Sequence, residues 1–198
     1  MELRDFINGK EILDVERVGF VDLDEKPLRF YTGLDYTCVK IGTSDTKTSK
    51  YLEIQHHISA NIENNADIQD NITFTGLLFI RLIDEIRFPD DYEENTDYVN
   101  CVSSVEQEVL LFPDASNTID DIIFHGLIEK EDAIICGALE IIAGKNLIFF
   151  DPFSFDGTLI EGVAKKQDWI ENFKFQNDEK LPQAISLFGK IYNDERSR

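Results

Sequence analysis

The apolar positions of this 198-residue chain gather most densely between Ala133 and Gly157, AIICGALEIIAGKNLIFFDPFSFDG. From Ala133 to Ile142 the run is rich in Ile and Leu, and Glu140 is its one charge. Ala143-Gly144-Lys145-Asn146 follows, and Gly and Asn tolerate the positive φ that a hairpin turn demands. Leu147 to Phe150 is a continuous apolar run. Such a run fits a strand covered on both faces, although a buried helix shares the signature. The stretch therefore predicts two central strands joined by a tight turn. At its exit, Asp151-Pro152 stops the second strand, Phe153 and Phe155 fall on one side of an extended chain, and Asp156-Gly157 is a turn signal.

Before this stretch the pattern is mainly a period of two. Residues 12–23 alternate imperfectly through Leu13, Val15, Val18 and Phe20, and the turn that follows contains Pro27, which rules out a continuing helix. Leu28 to Tyr31 and Tyr36 to Ile41 read as further strands. Leu52, Ile54, His56 and Ile58 alternate cleanly, and Thr73 to about Ile83 reads as a strand containing Gly76. Val99, Cys101, Ser103 and Val105 alternate again, and Val109 to Phe112 form another apolar run. Ser116-Asn117-Thr118 predicts a cap for a short helix over Ile119 to His125, with Asp120 and Asp121 in its first turn.

After the central stretch the period changes to that of a helix. Gly162 to Phe173 predicts one helix, carrying Trp169, the sole tryptophan. Leu181 to Tyr192 predicts a second, with Pro182 in its first turn and an apolar stripe of Ala184, Ile185, Phe188, Ile191 and Tyr192. Many strands followed by two helices give an expected α+β fold: a mainly antiparallel sheet of hairpins and meanders with two C-terminal helices packed on it, as a single domain over 1–198.

Charge adds a second organising feature. The formal net charge is −20, and residues 84–121 hold twelve acids against Arg87, net −11. Such a field repels nucleic acid and anionic membranes and attracts basic partners or cations. Acid excess also serves plain solubility. No run of eighteen apolar residues suggests a membrane span, and the first residues, MELRDF, lack the apolar core of a secretory signal. Cys38, Cys101 and Cys136 are odd in number and widely spaced. They read as buried small hydrophobes in a reducing, cytoplasmic setting.

Motifs that carry chemistry are absent. His56 and His57 are adjacent, so on a strand they point to opposite faces and cannot share a metal. No serine stands in a Gly-x-Ser-x-Gly turn and no cysteine neighbours a histidine. The acidic loop 90–97 lacks the pattern of a calcium-binding EF-hand. There is no Gly-rich phosphate loop and no basic patch. The expectation is therefore no cofactor, no metal and no catalytic set.

The leading functional reading is a non-catalytic acidic protein that docks a basic protein. A nuclease-type toxin would fit, which would make this chain an immunity protein; another nucleic-acid-binding protein would fit as well. The expected contact residues are Asp84, Glu85, Asp90, Asp91, Glu93, Glu94 and Asp97. A hydrolase using paired carboxylates in a cleft lined by Phe149, Phe150, Phe153, Phe155, Trp169 and Phe173 is the alternative, and a structural or assembly subunit is a third. The hairpin exit, 151–157, is where a pocket is expected first.

Overall fold

The computed structural model describes residues 3–31, 36–43, 48–58, 72, 74, 76–88, 97–104, 117–130, 133–152 and 162–190. A short helix, α1 (Leu3–Ile7), precedes a run of strands: β1 (Glu11–Asp22), β2 (Phe30–Tyr31), β3 (Tyr36–Gly42), β4 (Lys50–Ile58), β5 (Gly76–Ile83) and β6 (Tyr98–Ser104). Five more follow: β7 (Asp121–His125), β8 (Ile128–Lys130), β9 (Ala133–Cys136), β10 (Ala138–Ala143) and β11 (Asn146–Phe150). The chain then forms α2 (Gly162–Gln176) and β12 (Ala184–Ser186).

The strands make two antiparallel sheets. The larger has eight strands in the order β2-β1-β3-β4-β5-β9-β8, with β6 also paired to β1; the smaller has the order β11-β10-β7-β12. The alternating segments read from sequence become β1, β3, β4, β5 and β6. The inward positions of β1, β3, β4 and β5, namely Val15, Val39, Ile41, Leu52, Ile54, Leu78 and Ile80, meet Ile122, Phe124, Leu139, Ile141, Ile148 and Phe150 of the smaller sheet in one core. The opposite face of the smaller sheet is also covered. There Ala138 and Phe149 pack with Trp169 and Phe173 of α2. That double covering is why β10 and the end of β11 are buried at every position, with Glu140 the one charge in β10.

The hairpin of β10 and β11 forms as expected, with Leu139↔Phe150 and Ala143↔Asn146 in register. Gly144 (φ 61°) takes the first position of its turn, where a hairpin of this kind favours glycine. The run from Ala133 to Ile142 is two strands, however, and they lie in different sheets: β9 pairs with β5 and β8, whereas β10 pairs with β7 and β11. The chain changes sheet at Gly137, whose N–H donates to the His125 carbonyl at 2.7 Å. A Cβ at Gly137 would lie 2.1 Å from the Phe74 ring, and one at Gly126 (φ +67°) would lie 2.2 Å from it. The Phe74 ring thus approaches both backbones too closely for any side chain there.

Two predicted helices are strands. Residues 121–125 form β7, buried along its whole length between β10 and β12. The β-branched pair Ile122-Ile123 suits that position, and tertiary pairing overrides the capping signal. Among residues 181–190, β12 pairs with β7, Leu187-Phe188 turn, and Gly189 has φ 72°. The second C-terminal helix is therefore replaced by an edge strand, and α2 is the one helix of seven or more residues among the described ones. Of the stripe that suggested a helix, Ala184 and Ile185 lie in β12, Phe188 lies in the turn after it, and Ile191 and Tyr192 lie outside the described residues. The Leu187 N–H donates to the Ile122 carbonyl at 2.8 Å. Residues 109–112 and 153–157, read above as an apolar run and as the hairpin exit, lie outside the described residues.

Candidate functional site

Among the described residues, the acids of 84–121 do not share one surface. Asp84 and Glu85 leave the end of β5 and are exposed, and Asp84 Oδ1 pairs with Lys50 Nζ at 2.5 Å. Asp97 stands just before β6, where its carbonyl accepts the Leu23 N–H at 2.7 Å. The register sets these places apart. Ile83 pairs with Tyr51, Lys50 with Ile41, and Gly42 with Glu11 at the start of β1, whereas Tyr98 pairs with Asp22 at its end. Eleven steps of ~3.3 Å put about 35 Å of strand between the two groups. Asp90, Asp91, Glu93 and Glu94 lie outside the described residues.

Asp120 and Asp121 also separate. Asp120 is exposed and its carboxylate accepts the Gly144 N–H at 2.6 Å. Asp121 is fully buried and accepts from Ile122 N, Phe188 N and the Ser186 hydroxyl at 2.8, 3.2 and 2.5 Å. It ties β12 to β7 and is not a surface charge.

Through that backbone bond Asp97 stands beside the turn after β1, a segment that carries Asp22, Asp24 and Glu25 together with Lys26 and Arg29. Asp22 Oδ1 accepts the Asp24 N–H at 2.9 Å, and Glu25 accepts from the Tyr31 hydroxyl, a bond that pushes the Tyr31 phenol above its ordinary range. Leu23, Leu28 and Val99 are 43%, 53% and 47% exposed here. Acids and exposed aliphatic side chains of two distant segments are brought to one end of β1 because β6 pairs there, a placement that sequence pattern alone does not reveal.

A cavity of about 340 Å³ lies between α2 and the start of the hairpin exit. The helix lines it with Lys165, Asp168, Trp169, Asn172, Phe173 and Gln176, a spacing of three and four that makes one face. Asp151 and Pro152 at the end of β11 face them, with Phe74, Gly76 and Gly137 closing the wall. Of the six aromatics expected in a cleft, Trp169 and Phe173 line this cavity. Phe149 and Phe150 are buried, the latter in the main core. Phe153 and Phe155 lie outside the described residues.

Two histidines stand behind these walls. His56 is buried and its Nδ1 donates to the Asp151 carbonyl at 3.0 Å. His125 Nε2 meets Glu140 Oε1 at 2.5 Å, and its ring lies 5.1 Å from Trp169. Lys166 Nζ reaches the same carboxylate at 2.9 Å. Glu140 is 2% exposed. Burial alone would raise its carboxyl, but His125 and Lys166 outweigh it and hold Glu140 below the usual carboxylate range.

A third polar set crosses the larger sheet. Glu16 pairs with Cys38, Cys38 with Glu53, and Glu53 with Arg81, so the four stand in a row. Arg81 binds Glu53 Oε2 through Nη2 at 2.7 Å and Nε at 2.9 Å. Burial raises Glu16, with Lys40 opposing and Asp14 adding to the shift. Burial, then Glu53 and Glu16, push the Cys38 thiol up to about 12, so it stays protonated and is no nucleophile. Burial likewise raises Cys136 and Cys101. Among the described residues no three His, Cys, Asp or Glu side chains converge as metal ligands, and no helix is long and apolar enough to cross a membrane.

Comparison with protein-family models, with curated proteins and with solved structures finds no match for this chain.

Proposed function

We propose that the chain is a non-catalytic binding protein that docks a basic protein partner through the acidic surface around Asp97. The observation that supports this reading is the backbone bond that sets Asp97 beside the segment holding Asp22, Asp24 and Glu25, where Leu23, Leu28 and Val99 are exposed. Acids steer a cationic partner into place, and the aliphatic side chains supply the surface that releases water on contact. The overall charge of −20 lends long-range attraction. A nuclease-type toxin has the matching basic chemistry, which makes an immunity role the specific form of the proposal. The test is interferometry of the immobilised chain against small cationic proteins, a basic nuclease among them. Binding near 1 µM or tighter at low salt should weaken at least about tenfold near 0.3 M salt. Absence of binding at low salt ends the proposal.

A second reading, a hydrolase with paired carboxylates, draws on Asp151 and Asp168 lining one aromatic-walled cavity. It predicts turnover of chromogenic glycosides or esters that Asp168→Asn reduces at least a hundredfold, the scale of a lost general acid or base. No turnover by the unaltered chain ends this reading.

A further inference from the structure

We propose that the cavity between α2 and the end of β11 binds a neutral polyhydroxylated ring of monosaccharide size. The inference concerns binding alone: it shares its cavity with the hydrolase reading but needs no turnover, so a sugar bound without hydrolysis separates the two. A volume of about 340 Å³ lies at the lower end of the small-molecule range, which suits one ring better than a chain. One wall is aromatic. The Trp169 and Phe173 rings are 5.0 Å apart and tilted by 36°, and Phe173 and Phe74 are 5.2 Å apart. Each of these rings is 7–8% exposed, so together they offer a small apolar floor to the weakly positive C–H face of a sugar.

The polar lining decides the ligand's charge. Asp151 and Asp168 accept hydrogen bonds, Lys165 donates, and the amides of Asn172 and Gln176 do both. Adjacent hydroxyls, each a donor and an acceptor, match this mixed set. An anion would face two carboxylates within a molecule of net charge −20, and a cation would face Lys165. The walls are also fixed before binding. Trp169 and Phe173 are anchored in the core beneath α2, and the Asp151 backbone is held by His56. Groups already in place lose little freedom on binding, which favours a small ligand.

Trp169 is the sole tryptophan, so intrinsic fluorescence reports on this cavity directly. The full chain is titrated with glucose, galactose, mannose and N-acetylglucosamine, with glucose 6-phosphate and glucosamine as charged comparators. At least one neutral sugar should give a saturable change with a Kd of about 1 mM or tighter. Asn172→Ala or Gln176→Ala, both at exposed helix positions, should weaken it about tenfold. The charged comparators should bind more weakly. The proposal is overturned by no saturable change with any neutral sugar up to about 50 mM, by affinity unaltered in both variants, or by preference for a charged comparator.

Discussion

Glu140 and Glu16 are both buried acids, yet their neighbours push them in opposite directions. Glu140 has His125 and Lys166, and its carboxyl is lowered; Glu16 has Lys40 opposed by burial and Asp14, and its carboxyl is raised. The consequences for stability have opposite signs. A lowered acid stabilises the fold above its unfolded pKa of about 4.3, and that contribution is lost as pH falls through the folded value. A raised acid favours the fold while protonated, and that advantage is lost as pH rises through the folded value. Glu140→Gln should therefore cost about 3 kcal/mol at pH 7 and much less near pH 3. Glu16→Gln should stabilise at pH 7 and change little near pH 3. Urea denaturation of both variants at the two pH values measures this. A Glu140→Gln chain as stable as its parent at pH 7 would contradict the account.

At the scale of elements, Gly137 matters more than its surroundings suggested. It divides one apolar run into β9 of the larger sheet and β10 of the smaller, with the Phe74 ring against it. Gly137→Ala should destabilise by about 2–3 kcal/mol through overpacking. The same change in a Phe74→Ala background should cost at least about 1 kcal/mol less, because the clash is shared. Equal costs in both backgrounds, read from denaturant midpoints, would remove Phe74 as the cause.

The same scale explains what sequence could and could not disclose. Strands β1, β3, β4, β5 and β6 announce themselves by local alternation, and α2 by helical spacing from Gly162. The β10–β11 hairpin follows from Gly144 and the flanking apolar runs. By contrast, β7 exists because it pairs with β10 and β12, and β12 because it pairs with β7, some sixty positions away. Ile119 to His125 and Leu181 to Tyr192 keep helical spacing, so nothing local opposed a helix there. The cavity was partly foreseeable: Asp151-Pro152 and Trp169 pointed to it. Phe74 and Gly76 did not, since only the folding of β5 beside β9 brings them to α2.

For the molecule as a whole, the proposed docking depends on where the strands place charge as well as on the net charge. Asp84 and Asp97 are close in sequence, yet the register holds them near opposite ends of β1, with Asp97 bonded through its backbone to a turn some seventy residues earlier. Charge in bulk and charge in place therefore make different predictions. The most direct measurement is the affinity of a basic nuclease for three forms of the full chain. These are the parent, a variant with Asp22→Asn, Asp24→Asn and Asp97→Asn, and a variant with Asp84→Asn and Glu85→Gln. The first variant should bind at least about tenfold more weakly, mainly through slower association, while the second stays within about twofold of the parent. Equal weakening of both variants, or of neither, would contradict docking at Asp97.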